Sequence, residues 1–176
     1  MRTILQAVMA AFVAISFAHP ALAIGPEVYR TIEWDDLMPE GEWDVYDRQY
    51  QSLFDLDKVP EGSAEDKMIQ LGTFKTVPGL DGQKIRLPGF MLPFEYAEYK
   101  KVSEFLLVPY FGACIHVPPP PPNQIVYVVS KDPVPVGDMW APIWIKGTLR
   151  TERNVNAVGS AAYTLELEGV EPYTEP

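Results

Sequence analysis

At 176 residues, with a net charge of −10, one cysteine and two histidines, the chain has room for one compact domain with a real hydrophobic core and little material for disulfides or clustered soft metal ligands. Acidic residues outnumber basic ones 24 to 14, which disfavours nucleic acid and anionic lipid surfaces as partners. The excess reads first as a solvated surface and second as an affinity for cations or basic protein patches.

Residues 1–23 read as a secretory leader, with Arg2 as its basic start, Ile4 to Phe17 as its apolar core and Ala21-Leu-Ala23 as a small-x-small cleavage site. His19 and Pro20 break the apolar run short of the roughly 20 residues a membrane helix needs. No cysteine follows the cleavage point, which argues against a lipid anchor, and no later stretch reads as a membrane span. The expectation is a soluble mature chain exported to a bacterial periplasm. Losing Arg2 leaves 13 basic residues and a net charge near −11. A single cysteine in an oxidising compartment has no internal partner, so Cys114 is expected to be buried, liganded, reactive or paired with another chain.

Residues 24–70 read as an acidic, partly helical section of the same domain as the rest. Trp34, Leu37 and Met38 stand at helical spacing ahead of Pro39, which predicts a short helical turn. Trp43, Tyr46, Tyr50, Leu53 and Phe54 recur at three- and four-residue steps, which predicts an amphipathic helix over Trp43–Leu56. Pro60-Glu-Gly62 is a break.

From residue 71 to 176 the pattern changes to strands and turns. Pro78-Gly and Asp81-Gly are turn signals ahead of a strand at Gln83–Leu87, which Gly89–Phe94 continues across a kink. Further strands are predicted at Ser103–Val108, Ala113–Val117 and Gln124–Ser130. Ile143–Thr151 and Ala161–Val170 flank a polar, glycine-containing turn and read as a hairpin. Tyr163, Leu165 and Leu167 alternate with Thr164, Glu166 and Glu168, the period-two pattern of a strand with one wet face. The fold class is therefore mainly β with an N-terminal helical section: a small Greek-key barrel like the oligonucleotide/oligosaccharide-binding (OB) fold, ahead of a β-sandwich. Strand order does not follow from the pattern.

The chemistry concentrates in Gly112-Ala-Cys-Ile-His-Val-Pro-Pro-Pro-Pro-Pro122, which holds all the mature chain's cysteine and histidine. On an extended strand, Cys114 and His116 point to the same side. Thiolate and neutral imidazole are preferred ligands of Zn²⁺ and Cu⁺, and the pair is a candidate metal site. Zinc takes three or four ligands, so a carboxylate such as Glu95, Glu98 or Glu104, or a partner subunit, would have to complete it. A nucleophilic Cys–His dyad is the catalytic alternative; no elbow or orienting residue accompanies it, and a non-enzymatic role is expected. Both residues also suit a purely structural place in the core. Pro118–Pro122 locks an extended segment without N–H donors, read first as a rigid spacer positioning the Cys-x-His strand. The alternative makes it one wall of a pocket, with Tyr110 and Phe111 opposite. Trp34, Trp43, Trp140 and Trp144 read as packing, with a ligand-stacking surface as the alternative.

Several segments together resemble a family of exported bacterial proteins catalogued as domain of unknown function 3299. They are Leu87-Pro-Gly-Phe-Met-Leu-Pro-Phe94, Phe105-Leu-Leu-Val-Pro109, and Gly112-Ala-Cys-Ile-His-Val-Pro-Pro-Pro-Pro-Pro-Asn-Gln-Ile-Val126. Trp34-Asp-Asp-Leu-Met-Pro39 looks like the opening motif, and Ile145-Lys-Gly-Thr-Leu149 and Ala161-Ala-Tyr-Thr-Leu165 look like the closing strands. The resemblance implies an accessory protein found beside a periplasmic metal-binding protein and an ABC transporter, in gene sets linked to zinc supply. It therefore implies zinc as the ion for Cys114 and His116, and the transporter's periplasmic domain or the metal-binding protein as partner. The rival expectation is a protein- or oligosaccharide-binding OB-like module in which both residues are only structural.

Overall fold

A strand ten residues long can outrun one neighbour and take a second. Lys84–Pro93 does so. In the computed structural model, which describes residues 28–54, 69–94, 100–113 and 119–174, the elements are β1 (Arg30–Thr31), α1 (Glu42–Phe54), β2 (Lys84–Pro93), β3 (Lys101–Val108), β4 (Val126–Pro135), β5 (Ile143–Arg150) and β6 (Tyr163–Pro172). Residues 84–89 of β2 pair with β5, and residues 90–93 pair with β3. The predicted kink at Pro88–Gly89 is where β2 changes partners, so the two segments read from the sequence are one strand. A Cβ on Gly89 would lie 2.8 Å from Leu107 Cγ; a side chain there would block the crossing.

The strands run in the order β1-β2-β3-β4-β6-β5, and β5 closes back onto β2. β4–β6 and β1–β2 are parallel and the other pairs antiparallel. The result is a closed, mixed five-stranded barrel (β2 to β6) with β1 as an extra strand, mainly β and OB-like as expected. Inward residues at every second position fill it, among them Ile85, Leu87, Phe105, Val128, Ile145 and Leu165, all wholly buried. Each such side chain stabilises the fold by roughly 1.5–3 kcal/mol relative to exposure. The β5–β6 closure depends on Gly147, where a Cβ would sit 2.1 Å from the Glu166 carbonyl oxygen, beside a register shift at Lys146/Gly147.

The hairpin reading of β5 and β6 holds, with residues 151–162 as its connection. The helical turn is a 3₁₀ helix at Trp34–Leu37, and β1 has no counterpart in the sequence reading. β4 starts later than expected and runs on through Pro133 to Pro135, while Pro122–Gln124 form a 3₁₀ turn. Of the predicted strand Ala113–Val117, only Ala113 lies among the described residues. Helix α1 falls where expected, but Trp43, Tyr46 and Tyr50 of its stripe do not enter the core. Trp43, Tyr46 and Tyr50 contact one another in series, and Trp43 and Tyr50 stay exposed. The buried residue at its start is Glu42, which accepts hydrogen bonds from Lys75 Nζ at 2.7 Å and from Thr73 Oγ1. The Lys75 hydrogen bond is the main cause holding the Glu42 carboxyl below its ordinary range.

The N-terminal section is fastened into the barrel. Ile32 and Leu37 belong to the barrel core, and Ile32 N donates to Arg86 O at 3.0 Å. Wholly buried Tyr163 on β6 ties in two further segments: its hydroxyl donates to Leu37 O at 2.9 Å and accepts from Val77 N at 2.7 Å. Replacing Tyr163 by Phe strands both backbone groups, and urea unfolding should register a loss of about 1–3 kcal/mol.

On the outer face, Glu168 accepts from Tyr29 Oη at 2.5 Å, Lys84 Nζ at 3.0 Å and Thr148 Oγ1 at 3.0 Å. These bonds, Tyr29's first, bring its pKa from 4.5 to about 2. The folded state thus favours the ionised carboxylate. Its stabilisation is complete above the unfolded value of 4.5 and drains away as pH falls toward about 2. Glu168→Gln should lower the melting temperature at neutral pH, and the gap from wild type should close progressively across that acid window.

Candidate functional site

Proline carbonyls need donors that prolines cannot provide, and here the rest of the chain provides them. Pro119–Pro122 are buried. Gln70 Nε2 donates to Pro120 O at 2.9 Å and to Ser160 O at 2.8 Å, and its Oε1 accepts from Ser160 N at 2.8 Å. Ala162 N donates to Pro122 O at 2.7 Å. Gly72, at φ +95°, lies so close that a Cβ would stand 2.4 Å from Pro121 Cβ; its N–H donates to Gln49 Oε1 of α1 at 2.5 Å. The run is therefore a spacer gripped from α1, residues 70–72 and the β5–β6 connection.

This clamp fixes one end of the segment that carries Cys114 and His116. The other end, Ala113, is buried in a second apolar cluster outside the barrel, with Leu92, Leu106, Val108 and Ile125. β3 is thus dry on both faces in its second half: Phe105 and Leu107 point into the barrel, Leu106 and Val108 out of it. Cys114, His116, Glu95 and Glu98 lie outside the described residues. Glu104 is described. It is exposed, two positions from Leu106 on the outward face, and its carboxylate lies close enough to the Tyr127 phenol to raise its pKa. Burial first, and Glu104 second, push the Tyr127 phenol up to about 12. Among the described residues no group of three or more His, Cys, Asp and Glu stands together as a metal site.

A second feature was legible in the sequence only as an alternative for Trp140 and for Phe111, not as their pairing. The β4–β5 connection carries Met139 and Trp140 to the mouth of the barrel, where Trp140 stacks on Phe111 with ring centroids 4.0 Å apart and Phe90 meets Phe111 edge-on at 6.2 Å. Trp140 is 71% exposed. Beside it opens a cavity of about 400 Å³ lined by Met91, Met139, Pro142, Ile143, Val170 and Tyr173, among others. The signal was Asp138-Met-Trp-Ala-Pro142, an apolar pair inside a short connection. The tryptophans divide. Trp34 donates from Nε1 to Pro88 O at 2.8 Å, and Trp144 is sandwiched by Arg86 (3.9 Å) and Tyr173 (5.5 Å), so these two pack. Trp140 and Trp43 are the exposed ones. Phe111, expected in the alternative reading to face the prolines across a pocket, faces Trp140 instead.

Glu104→Gln should bring the Tyr127 phenol down from about 12 without restoring 10, because burial persists; a spectrophotometric alkaline titration reads this directly.

A family model described as "Protein of unknown function (DUF3299)" matches residues 34–172, a span that includes the Cys114–His116 segment and strands β2 to β6. A crystal structure of a DUF3299 family protein from Pseudomonas aeruginosa PAO1 is 33% identical, with a TM-score of 0.64 over 85% of this chain and 99% of that one. None of the curated proteins matches. By the extent of the family match and the agreement of sequence and fold with that structure, the chain belongs to the DUF3299 family.

Proposed function

We propose that the protein is an exported, non-enzymatic accessory of metal supply, freed of residues 1–23 and acting in the periplasm as one domain built from residues 24–70 and 71–176. Cys114 and His116 hold a thiophilic ion, zinc first, with Glu104 or Glu95 as the carboxylate partner. The site is offered to the periplasmic domain of an ABC transporter or to a periplasmic metal-binding protein. The observation that carries this reading is the double anchorage of the short segment bearing the chain's two soft donors: Ala113 buried in the outer cluster, Pro119–Pro122 clamped through Gln70 and Ala162. Two protein donors leave coordination positions for a partner, which suits transfer better than storage. A second reading, a protein- or oligosaccharide-binding OB-like module, is favoured by the exposed Phe111–Trp140 stack.

Calorimetry on reduced protein should give one Zn²⁺ per chain, lost in Cys114→Ser and in His116→Ala. Weakening by Glu104→Gln, with Glu95→Gln unaffected, would assign the third donor. A stoichiometry near zero in the wild type sinks the metal reading. Equal drops in melting temperature with and without zinc in both variants would leave the module reading.

A further inference from the structure

Strand β6 loses a neighbour halfway along. From Tyr163 to Glu166 it lies between β4 and β5, whereas residues 167–172 are bordered by β5 alone among the described residues. The cause lies in β4. Its register against β3 jumps from Val129 opposite Glu104 to Val134 opposite Val102, so residues 130–133 form a bulge in which Ser130 Oγ donates to Asp132 O at 2.7 Å. The bulge carries β4 away from β6. Pro133 and Pro135, lacking N–H groups, protect the departing edge of β4. β6 has no proline before Pro172 and, among the described residues, keeps an open backbone edge.

The cavity at the barrel mouth lies alongside this edge. Val170 is paired with Ile145 and so shares its core-facing side. Ile145 is wholly buried, yet Val170 is 36% exposed. A core-facing valine in contact with solvent marks where the interior of the barrel is open. Its volume of about 400 Å³ falls within the roughly 300–1,000 Å³ of ligand-binding cavities. The rim is acidic. Glu171 is already engaged by Lys146 at 2.7 Å and Arg86 at 3.4 Å, while Asp138 Oδ1 accepts the Trp140 N–H at 2.9 Å.

We propose that this seam docks an extended segment of a partner polypeptide, which adds as a strand to β6 along residues 167–171 and lowers one large apolar side chain into the cavity, with a Lys or Arg beside it facing Asp138. Strand addition uses the open backbone edge and the cavity together; a small apolar ligand would use only the second. A second copy of this chain would set one charge of −10 against another, whereas a basic segment is drawn in. The inference deepens the binding-module reading and is independent of zinc at Cys114 and His116.

The test uses wild-type protein in EDTA, which separates it from the metal site, and a blocked heptapeptide alternating lysine with leucine as probe. Nuclear magnetic resonance should place the shifts at the amides of residues 167–171 and at the Met91 and Met139 methyls, with amide exchange along β6 slowed at least tenfold. N-methylation of alternate peptide nitrogens, Val170→Asp and Asp138→Lys should each weaken binding at least tenfold. Asp138 is exposed, so its variant keeps the test valid if Val170→Asp misfolds. Shifts scattered over acidic surfaces and indifferent to N-methylation would overturn the proposal. So would cavity filling by the dye anilinonaphthalene sulfonate that leaves peptide affinity unchanged, or self-association abolished by Val170→Asp.

Discussion

The structure turns on a shortage of hydrogen-bond donors. Five consecutive prolines supply carbonyls and no N–H groups, and a buried carbonyl without a donor costs about 1–3 kcal/mol. Pro119–Pro122 are buried because the amide of Gln70, the backbone of Ala162 and the close approach of Gly72 converge on them. Those groups belong to segments far apart in the chain. Satisfying the prolines therefore draws the N-terminal section, the β3–β4 connection and the β5–β6 connection into one assembly at one end of the barrel.

The opposite end follows a different logic. The barrel is closed where β4 and β6 run side by side and loosens where the bulge at residues 130–133 parts them. Gly89 and Gly147 permit the tight crossings of the closed part, while the loosened part exposes Val170, Trp140 and the aromatic mouth. Close packing around Pro119–Pro122 and openness at the mouth are thus separate products of local sequence: a proline clamp in one place, a bulge in the other.

Much of this was legible because it rests on local pattern. The alternation of Tyr163, Leu165 and Leu167 specified β6 and its wet face, and the turn residues after Arg150 marked the hairpin. The kink at Pro88–Gly89 was visible, but not its meaning, since a change of strand partner depends on residues about 20 and 60 positions away in β3 and β5. The α1 stripe was read as core-facing from its spacing, yet Trp43 and Tyr50 lie exposed while Glu42 is buried; periodicity identifies a face without saying which face the barrel receives. The length of β4 escaped because a proline inside a strand goes against the pattern, yet Pro133 and Pro135 are tolerated on an edge that donates nothing. Of the candidate site, the sequence singled out the donors and the spacer, and the structure supplies the anchorage and the Glu104–Tyr127 pair. Trp140 carried ligand stacking only as an alternative shared with three other tryptophans, because its partner, Phe111, sits in another connection.

The bond from Tyr163 to the Leu37 carbonyl spans 126 positions, and β1 is matched to a strand more than fifty residues downstream. The second needs half of the chain and the first nearly all of it. Such topology carries a high contact order, and the entropy of closing long loops falls due before the contacts that reward it. The barrel is therefore expected to assemble late and slowly, with its strands unclosed while the chain is still emerging.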